Sequence, residues 1–304
     1  MDEATVGRFE EPYRQLLTSC RLCPRRCGAD RVGGEVGECG AGAEARLASA
    51  TVHIGEEPPI SGVRGSGTFF FSHCPLSCVY CQNFPISQLG HGRNVTVPAL
   101  AERMLLLSRR GAHNINIVTG TPFVPHIIHA VALARAEGLG LPVVWNTSGF
   151  ETPETIDRLA GTVDIYLTDI KYRDDVIAEK LSGAPGYFTI ATEAAKRMLE
   201  QVGSLETDAR GIGKSGVIIR HLVLPDDLSG TEKVMRFIAD HLGTGVHVSL
   251  MGQYFPAHRA ADVDPLGRPI TSAEYERAKA AVLRAGLELG WFQDMDDPTL
   301  RRGA

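Results

Sequence analysis

The sequence predicts an α/β protein: a partial (β/α)6 barrel of the TIM type over residues 63–304, preceded by a small cysteine-rich metal-binding extension over residues 1–62. Three observations lead there. Six short apolar runs alternate with amphipathic helical stretches, the pattern of parallel strands joined by right-handed helical crossovers. Polar or glycine-containing groups recur just after those runs, where barrels gather their chemistry. The first sixty or so residues show neither period and are rich in glycine and cysteine instead.

The first strand is TFFF at 68–71, followed by the helical stretch PALAERMLLLSRRG, with proline near its start and Gly111 at its end. INIVT at 115–119 precedes PHIIHAVALARAEG, which stops at Gly138. PVVWN at 142–146 and DIYLTD at 164–169 come next, then the helix ATEAAKRMLEQVG, ending at Gly203. VIIRHLVL at 217–224 is the fifth strand; its alternation sends one of Arg220 and His221 into the barrel and the other out, without saying which. SGTEKVMRFIADHLG at 229–243 opens on a capping-type Ser229, VHVSLM at 246–251 is the sixth strand, and TSAEYERAKAAVLRAG at 271–286 is a C-terminal helix capped by Thr271 or Ser272 with Glu274. The groups at the strand ends are SHC, TGTP, NTSG, DIK and GQY. GIGKSG at 211–216 imitates a phosphate loop but precedes a strand, and Asp208 stands where such a loop needs glycine, so it reads as a flexible lead-in.

With 43% hydrophobic residues and a formal net charge of −5, the chain has the composition of a globular protein. Nothing advertises a phosphate-seeking surface, so nucleic acid is not an expected partner. No run approaches a membrane span, and MDEATVGRFEEPY lacks the basic start and apolar run of a leader. The expected compartment is the cytoplasm.

All seven cysteines fall in two clusters, and none follows Cys81. A disulfide framework scatters its cysteines, so clustering favours metal binding in a reducing compartment. Cys20, Cys23, Cys27 and Cys39 make a closed set of four that suits a [4Fe–4S] cluster or a structural zinc. Cys74, Cys78 and Cys81 are three thiols in eight positions. Three thiolates leave one iron of a cubane [4Fe–4S] cluster open to a small molecule; the alternative is zinc completed by a histidine such as His73.

The spacing Cys74-x3-Cys78-x2-Cys81 and the sequence CVYCQN resemble the radical S-adenosylmethionine (SAM) superfamily, and specifically activating enzymes of the pyruvate formate-lyase type, closest to their PflX-like branch. The resemblance implies a site-differentiated [4Fe–4S] cluster whose open iron binds the methionyl end of SAM. Reductive cleavage then gives methionine and a 5′-deoxyadenosyl radical that takes a hydrogen from substrate. It further implies that Gly120, Thr121 and Pro122 hold the methionyl amino group, with threonine where an acid is common, and that Asn83 follows the third cysteine as in those enzymes. Asn146, Thr147 and Ser148 would line the methionine or ribose, Asp169 and Lys171 would meet the cofactor's ammonium and carboxylate, and Gln253 and Tyr254 would face substrate or adenine. The implied partners are reduced flavodoxin or ferredoxin as electron donor, and a glycyl radical enzyme or peptide as substrate. A small-molecule substrate is the second reading, and a non-catalytic iron–sulfur electron carrier the third.

Overall fold

The computed structural model describes residues 14–293; the whole of the stretch read for a leader, and residues 294–304, lie outside it. The strands are β1 (Ala45–His53), β2 (Ser66–Phe71), β3 (Arg93–Val95), β4 (Ile115–Val118), β5 (Val143–Thr147), β6 (Ile165–Asp169), β7 (Glu206–Thr207), β8 (Gly213–Leu222), β9 (His247–Met251) and β10 (Gly290–Phe292). The principal helices are α1 (Val97–Arg109), α2 (Val124–Ala136), α3 (Pro153–Leu159), α4 (Asp175–Ser182), α5 (Tyr187–Val202), α6 (Thr231–Phe237) and α7 (Ser272–Arg284).

The six expected strands are β2, β4, β5, β6, β8 and β9. Each lies parallel beside its sequence neighbour in the order β10-β9-β8-β6-β5-β4-β2-β1-β3. Because the winding never reverses, every crossover passes the same face and the sheet curls as a barrel wall instead of becoming doubly wound. The flanking strands β10 and β3 end the sheet and do not pair with each other, so the barrel is partial.

Strand β1 was not among the expected elements. It falls inside residues 1–62, yet it pairs antiparallel with both β2 and β3, so the sheet begins before residue 63. Its sequence ARLASATVH dilutes the apolar alternation with arginine, serine and threonine. The lead-in GKSG at 213–216 is likewise already strand, paired with β7.

The helix caps show local chemistry at work. Thr271 caps α7 and closes a reciprocal capping box with Glu274. Thr96, Thr152 and Asp174 cap α1, α3 and α4 through their side chains. Ser229 does not cap α6: Gly230 occupies that position, and the Asp227 carboxylate accepts from the Thr231 amide at 2.9 Å. No helix among the described residues is long and apolar enough to cross a membrane.

Alternation along the strands divides the core. Ile117, Trp145, Tyr166 and Ile219 join the large cluster beneath the helices. Ile60, Val144, Ile165, Leu167 and Ile218 form a separate cluster inside the barrel. Ile60 arrives on a helical turn, Pro58–Ser61, that follows β1. Since β1 runs against β2, that turn lies at the N-terminal ends of the barrel strands and closes the floor.

Candidate functional site

The loop after β2 carries the three-cysteine set. His73 enters it with a left-handed φ of 69°, a conformation costly for a non-glycine residue and typical of functional turns. Its ring is wedged between Gly40 and Gly90, where an added Cβ would come within 2.9 and 2.7 Å of it. Each cysteine sulfur has one hydrogen-bonding neighbour. The Leu76 amide donates to Cys74 Sγ at 3.4 Å, the Ser182 hydroxyl donates to Cys78 Sγ at 2.9 Å, and Ser87 Oγ lies 3.2 Å from Cys81 Sγ. Ser182 is in turn bonded to Tyr172 at 2.6 Å, and Tyr172 to Tyr80.

Burial pushes the Cys78 thiol up to about 11, against the pull of the Lys171 ammonium. It pushes Cys74 well above the ordinary thiol value, and the neighbouring Cys78 and Cys81 add to the effect. Thiolates in this place need a partner that takes up their charge, as bound metal does. Three thiols on one loop, each with a hydrogen-bonding neighbour, fit a cluster that takes one ligand per iron. No three His, Cys, Asp or Glu side chains among the described residues stand close enough together to share a single ion.

Beside the cysteines, at the end of β6, Lys171 and Asp169 form a close ion pair. Asp169 also accepts from Arg220 Nε at 2.8 Å. Burial opposes the Asp169 charge, but Arg220 and Lys171 hold its carboxyl below the usual range. Burial likewise opposes the Lys171 charge, and Asp169 and Cys78 keep it protonated.

The strand alternation left open in the sequence is settled here. Arg220 points into the barrel, where its Nη2 donates to Asn146 Oδ1 at 2.7 Å and its Nη1 lies 3.7 Å from Glu56. His221 points out, donating from Nδ1 to the Ile170 carbonyl at 2.6 Å and accepting from the Thr231 hydroxyl at 3.0 Å. Glu56, from the floor, also accepts from Asn116 at 2.9 Å. Burial raises the Glu56 carboxyl, with Arg220 and Asn116 acting against it.

The segment after β4 turns at Thr119, whose φ is 58°. A Cβ on Gly120 would come within 2.6 Å of both Ile117 and Trp145, so the turn needs glycine for packing alone. Thr121 and Thr147 both donate their hydroxyls to Glu151 Oε1, at 2.6 and 2.7 Å, and Trp145 Nε1 reaches the same oxygen at 3.2 Å. This buried acid supports from behind a turn in which threonine stands where an acid was expected. Burial raises its carboxyl against those three donors.

The remaining expected residues are spread along the same rim. The Ser148 carbonyl accepts from Tyr187 at 2.7 Å, and Asn83 is exposed at the start of a helical turn, Phe84–Ser87. Gln253 accepts from Gln293 at 3.0 Å, and its carbonyl accepts from Gln82, next to Cys81, at 3.3 Å. Tyr254 is buried, donates to the Leu266 carbonyl at 2.6 Å and packs edge-on against Tyr80. A surface cleft of about 780 Å³ is lined instead by residues such as Arg173, Asp226 and Lys233 and holds none of the expected site residues.

Sequence reasoning missed Ser87, Ser182, Arg220, Glu56 and Glu151. Only Arg220 had a signal, its place in an alternating strand. The four N-terminal cysteines converge on one small cavity that Pro75, Thr121 and Pro122 also line. Burial pushes Cys23 up to about 12.

A profile of the Radical SAM superfamily matches residues 68–250, more than half of the chain. An uncharacterized protein of Methanocaldococcus jannaschii is 31% identical over 286 residues, covering 92% of this chain and 78% of that protein. Among solved structures, HydG, a maturase of the [FeFe]-hydrogenase, superposes with a TM-score of 0.50 at 12% identity, over 76% of this chain and 52% of that one. Methylornithine synthase (PylB) gives 0.48 at 15% identity, over 76% of this chain and 66% of that one. The chain therefore spans about half the length of the maturase.

Proposed function

This chain belongs to the radical SAM superfamily, and on that premise we propose that it generates a 5′-deoxyadenosyl radical at the Cys74–Cys81 loop and uses it to abstract hydrogen, in the manner of glycyl-radical-enzyme activases. Members of the superfamily are enzymes that cleave SAM reductively with a [4Fe–4S] cluster. When bound, the cluster supplies the electron and an open iron for the methionyl end of SAM. The observation that carries the reading is the Lys171–Asp169 pair at a barrel rim, close enough for Lys171 to act on both Cys74 and Cys78. In this proposal the Lys171 ammonium takes the cofactor's carboxylate and Asp169 its ammonium, as charge-assisted hydrogen bonds that replace the one joining the pair here.

The other expected residues take supporting parts. The Gly120–Pro122 turn receives the methionyl amino group through the Thr121 carbonyl, the Gly120 and Pro122 carbonyls being engaged by the Phe123 amide and by Arg31. Ser148 lines the methionine or ribose and Asn83 follows the third cysteine at the loop's exit, whereas the Thr147 hydroxyl is turned away to Glu151 and supports the site from behind. Asn146 is tied to Arg220 and Glu56, which makes it part of the floor beneath the cofactor. Gln253 and Tyr254 hold the last strand end against the cluster loop.

Cys20, Cys23, Cys27 and Cys39 hold a second metal centre; of the two candidates, a [4Fe–4S] cluster suits thiols that do not converge on a single ion better than zinc does. Reduced flavodoxin or ferredoxin is the proposed electron donor, a glycyl radical enzyme or peptide the proposed substrate, and the cytoplasm the proposed compartment. A small polar molecule is the second reading, favoured by the charged interior of Glu56, Asp169 and Arg220 below the rim.

The test is anaerobic incubation with reductant and SAM, tracing deuterium from labelled candidate substrates into 5′-deoxyadenosine. Alanine at Cys74, Cys78 and Cys81 together should remove one cluster's worth of iron and abolish 5′-deoxyadenosine formation. Continued cleavage by that variant under reducing conditions would sink the proposal.

A further inference from the structure

The four-cysteine unit meets the barrel at several points: the Thr155 hydroxyl donates to the Leu22 carbonyl at 2.8 Å, Arg26 pairs with Glu154 at 3.0 Å, and Arg31 and Arg25 reach the loops that carry the site. Arg31, 1% exposed, donates from Nη1 to Cys20 Sγ at 3.7 Å and to the Pro122 carbonyl at 2.7 Å, while Nε and Nη2 both bond the Gly42 carbonyl. Arg25 donates to the Pro75 carbonyl at 2.5 Å, next to the ligand Cys74, and to the Gly183 carbonyl at 2.7 Å, next to Ser182. The turn that Arg31 reaches is the one with left-handed Thr119. A β-branched residue in that conformation persists only where its surroundings over-determine it. Around this turn the side-chain holds are Arg31 on Pro122 and Glu151 on Thr121.

We propose that the four-cysteine unit is a positioning device for the cofactor: its metal-bound thiolates fix Arg31, and Arg31 fixes the Gly120–Pro122 turn in the shape that receives the methionyl end of SAM. This rests on the reading of that turn as a SAM contact and of the four cysteines as metal ligands. Arg31 is a positioning residue and has no part in the radical step. Loss of the N-terminal metal therefore weakens SAM binding while the three-cysteine cluster keeps its iron.

The test uses the full chain, reconstituted anaerobically, as wild type, Arg31→Lys, Arg31→Gln and Cys39→Ser. Three quantities are read: hydrogen exchange of peptides spanning 115–124, iron content with the reduced-cluster spectrum, and the SAM concentration that perturbs that spectrum. One charge-assisted hydrogen bond corresponds to roughly tenfold or more in an equilibrium. Arg31→Gln and Cys39→Ser should therefore show about tenfold faster exchange at the Phe123 amide, which closes the turn by donating to the Gly120 carbonyl at 2.8 Å, and need about tenfold more SAM, with the spectrum before SAM unchanged. Arg31→Lys, which keeps the charge but cannot span three acceptors, should fall between wild type and Arg31→Gln. Unchanged exchange in Arg31→Gln and Cys39→Ser overturns the proposal, as does faster exchange with wild-type SAM affinity. Faster exchange in a protein whose wild type never responds to SAM keeps the mechanical link and overturns its cofactor role, together with the reading of the turn as a SAM contact.

Discussion

Replacing Arg220 by methionine tests whether the barrel interior is held by one shared cation. Arg220 serves three acceptors: Asp169 at 2.8 Å, Asn146 at 2.7 Å and Glu56 at 3.7 Å, the two carboxylates being 7% and 9% exposed. Removing one partner of a buried ion pair costs about 3–5 kcal/mol, because the other charge stays buried and unpaired. Here Asp169 keeps Lys171, and Glu56 keeps Asn116 and Asn146, so the expected loss is near the lower limit, about 3 kcal/mol. At roughly 2 °C per kcal/mol for a chain of this size, melting should fall by about 6 °C. The decisive measurement is a double-mutant cycle with Glu56→Gln, at matched iron content and pH 7. Once Arg220 is gone, neutralising Glu56 relieves an uncompensated charge, so the double variant should be more stable than additivity allows by about 1–3 kcal/mol. Additive losses, or an Arg220→Met variant within about 1 kcal/mol of wild type, would refute the shared-cation argument.

Three other outcomes are expected. Burial holds His221 neutral, down to about 4 from 6.5, so the unfolded chain binds more protons between those values and stability falls as pH drops from 6.5 to 4; at about 1.4 kcal/mol per pH unit the loss is on the order of 3 kcal/mol. His221→Asn should lower stability at pH 7 and flatten that dependence in urea titrations, and an undiminished slope would place its origin elsewhere. Lys171→Met should leave iron and the reduced-cluster spectrum intact while raising the SAM requirement by about one to two decades; unchanged SAM dependence with lost turnover would move Lys171 to the substrate. Ser182→Ala removes the hydroxyl bonded to Cys78 and should make the cluster potential more negative, since donors to sulfur favour the reduced, more negative state; an equal or higher potential by redox titration would contradict that.

What could be read from the sequence was local. The six buried strands announce themselves as apolar runs between helices with glycine ends, and Thr271 with Glu274 marks a helix start within four residues. The cysteine loop is legible because its donors lie within eight positions and three thiols suit few other purposes. What could not be read depends on contacts between residues far apart in the chain. Ser182 meets Cys78 across 104 positions, and Arg220 meets Asp169 across 51. Whether Arg220 or His221 enters the barrel is decided by the pairing of β8 with β6, since a one-residue slip exchanges the two faces. Strand β1 carries no strong apolar alternation and is held by its two neighbours, so only the folded sheet reveals it. The clustering of the four N-terminal cysteines was visible, but their place against Pro75 and Pro122 was not. The sequence by itself determined the spacing of the cysteines and the parallel strands because those reside in short-range chemistry. The partners of each charge, and the contacts of the N-terminal cysteine segment with the second cysteine loop, were decided only when the sheet curled and burial left its polar groups a small choice of neighbours.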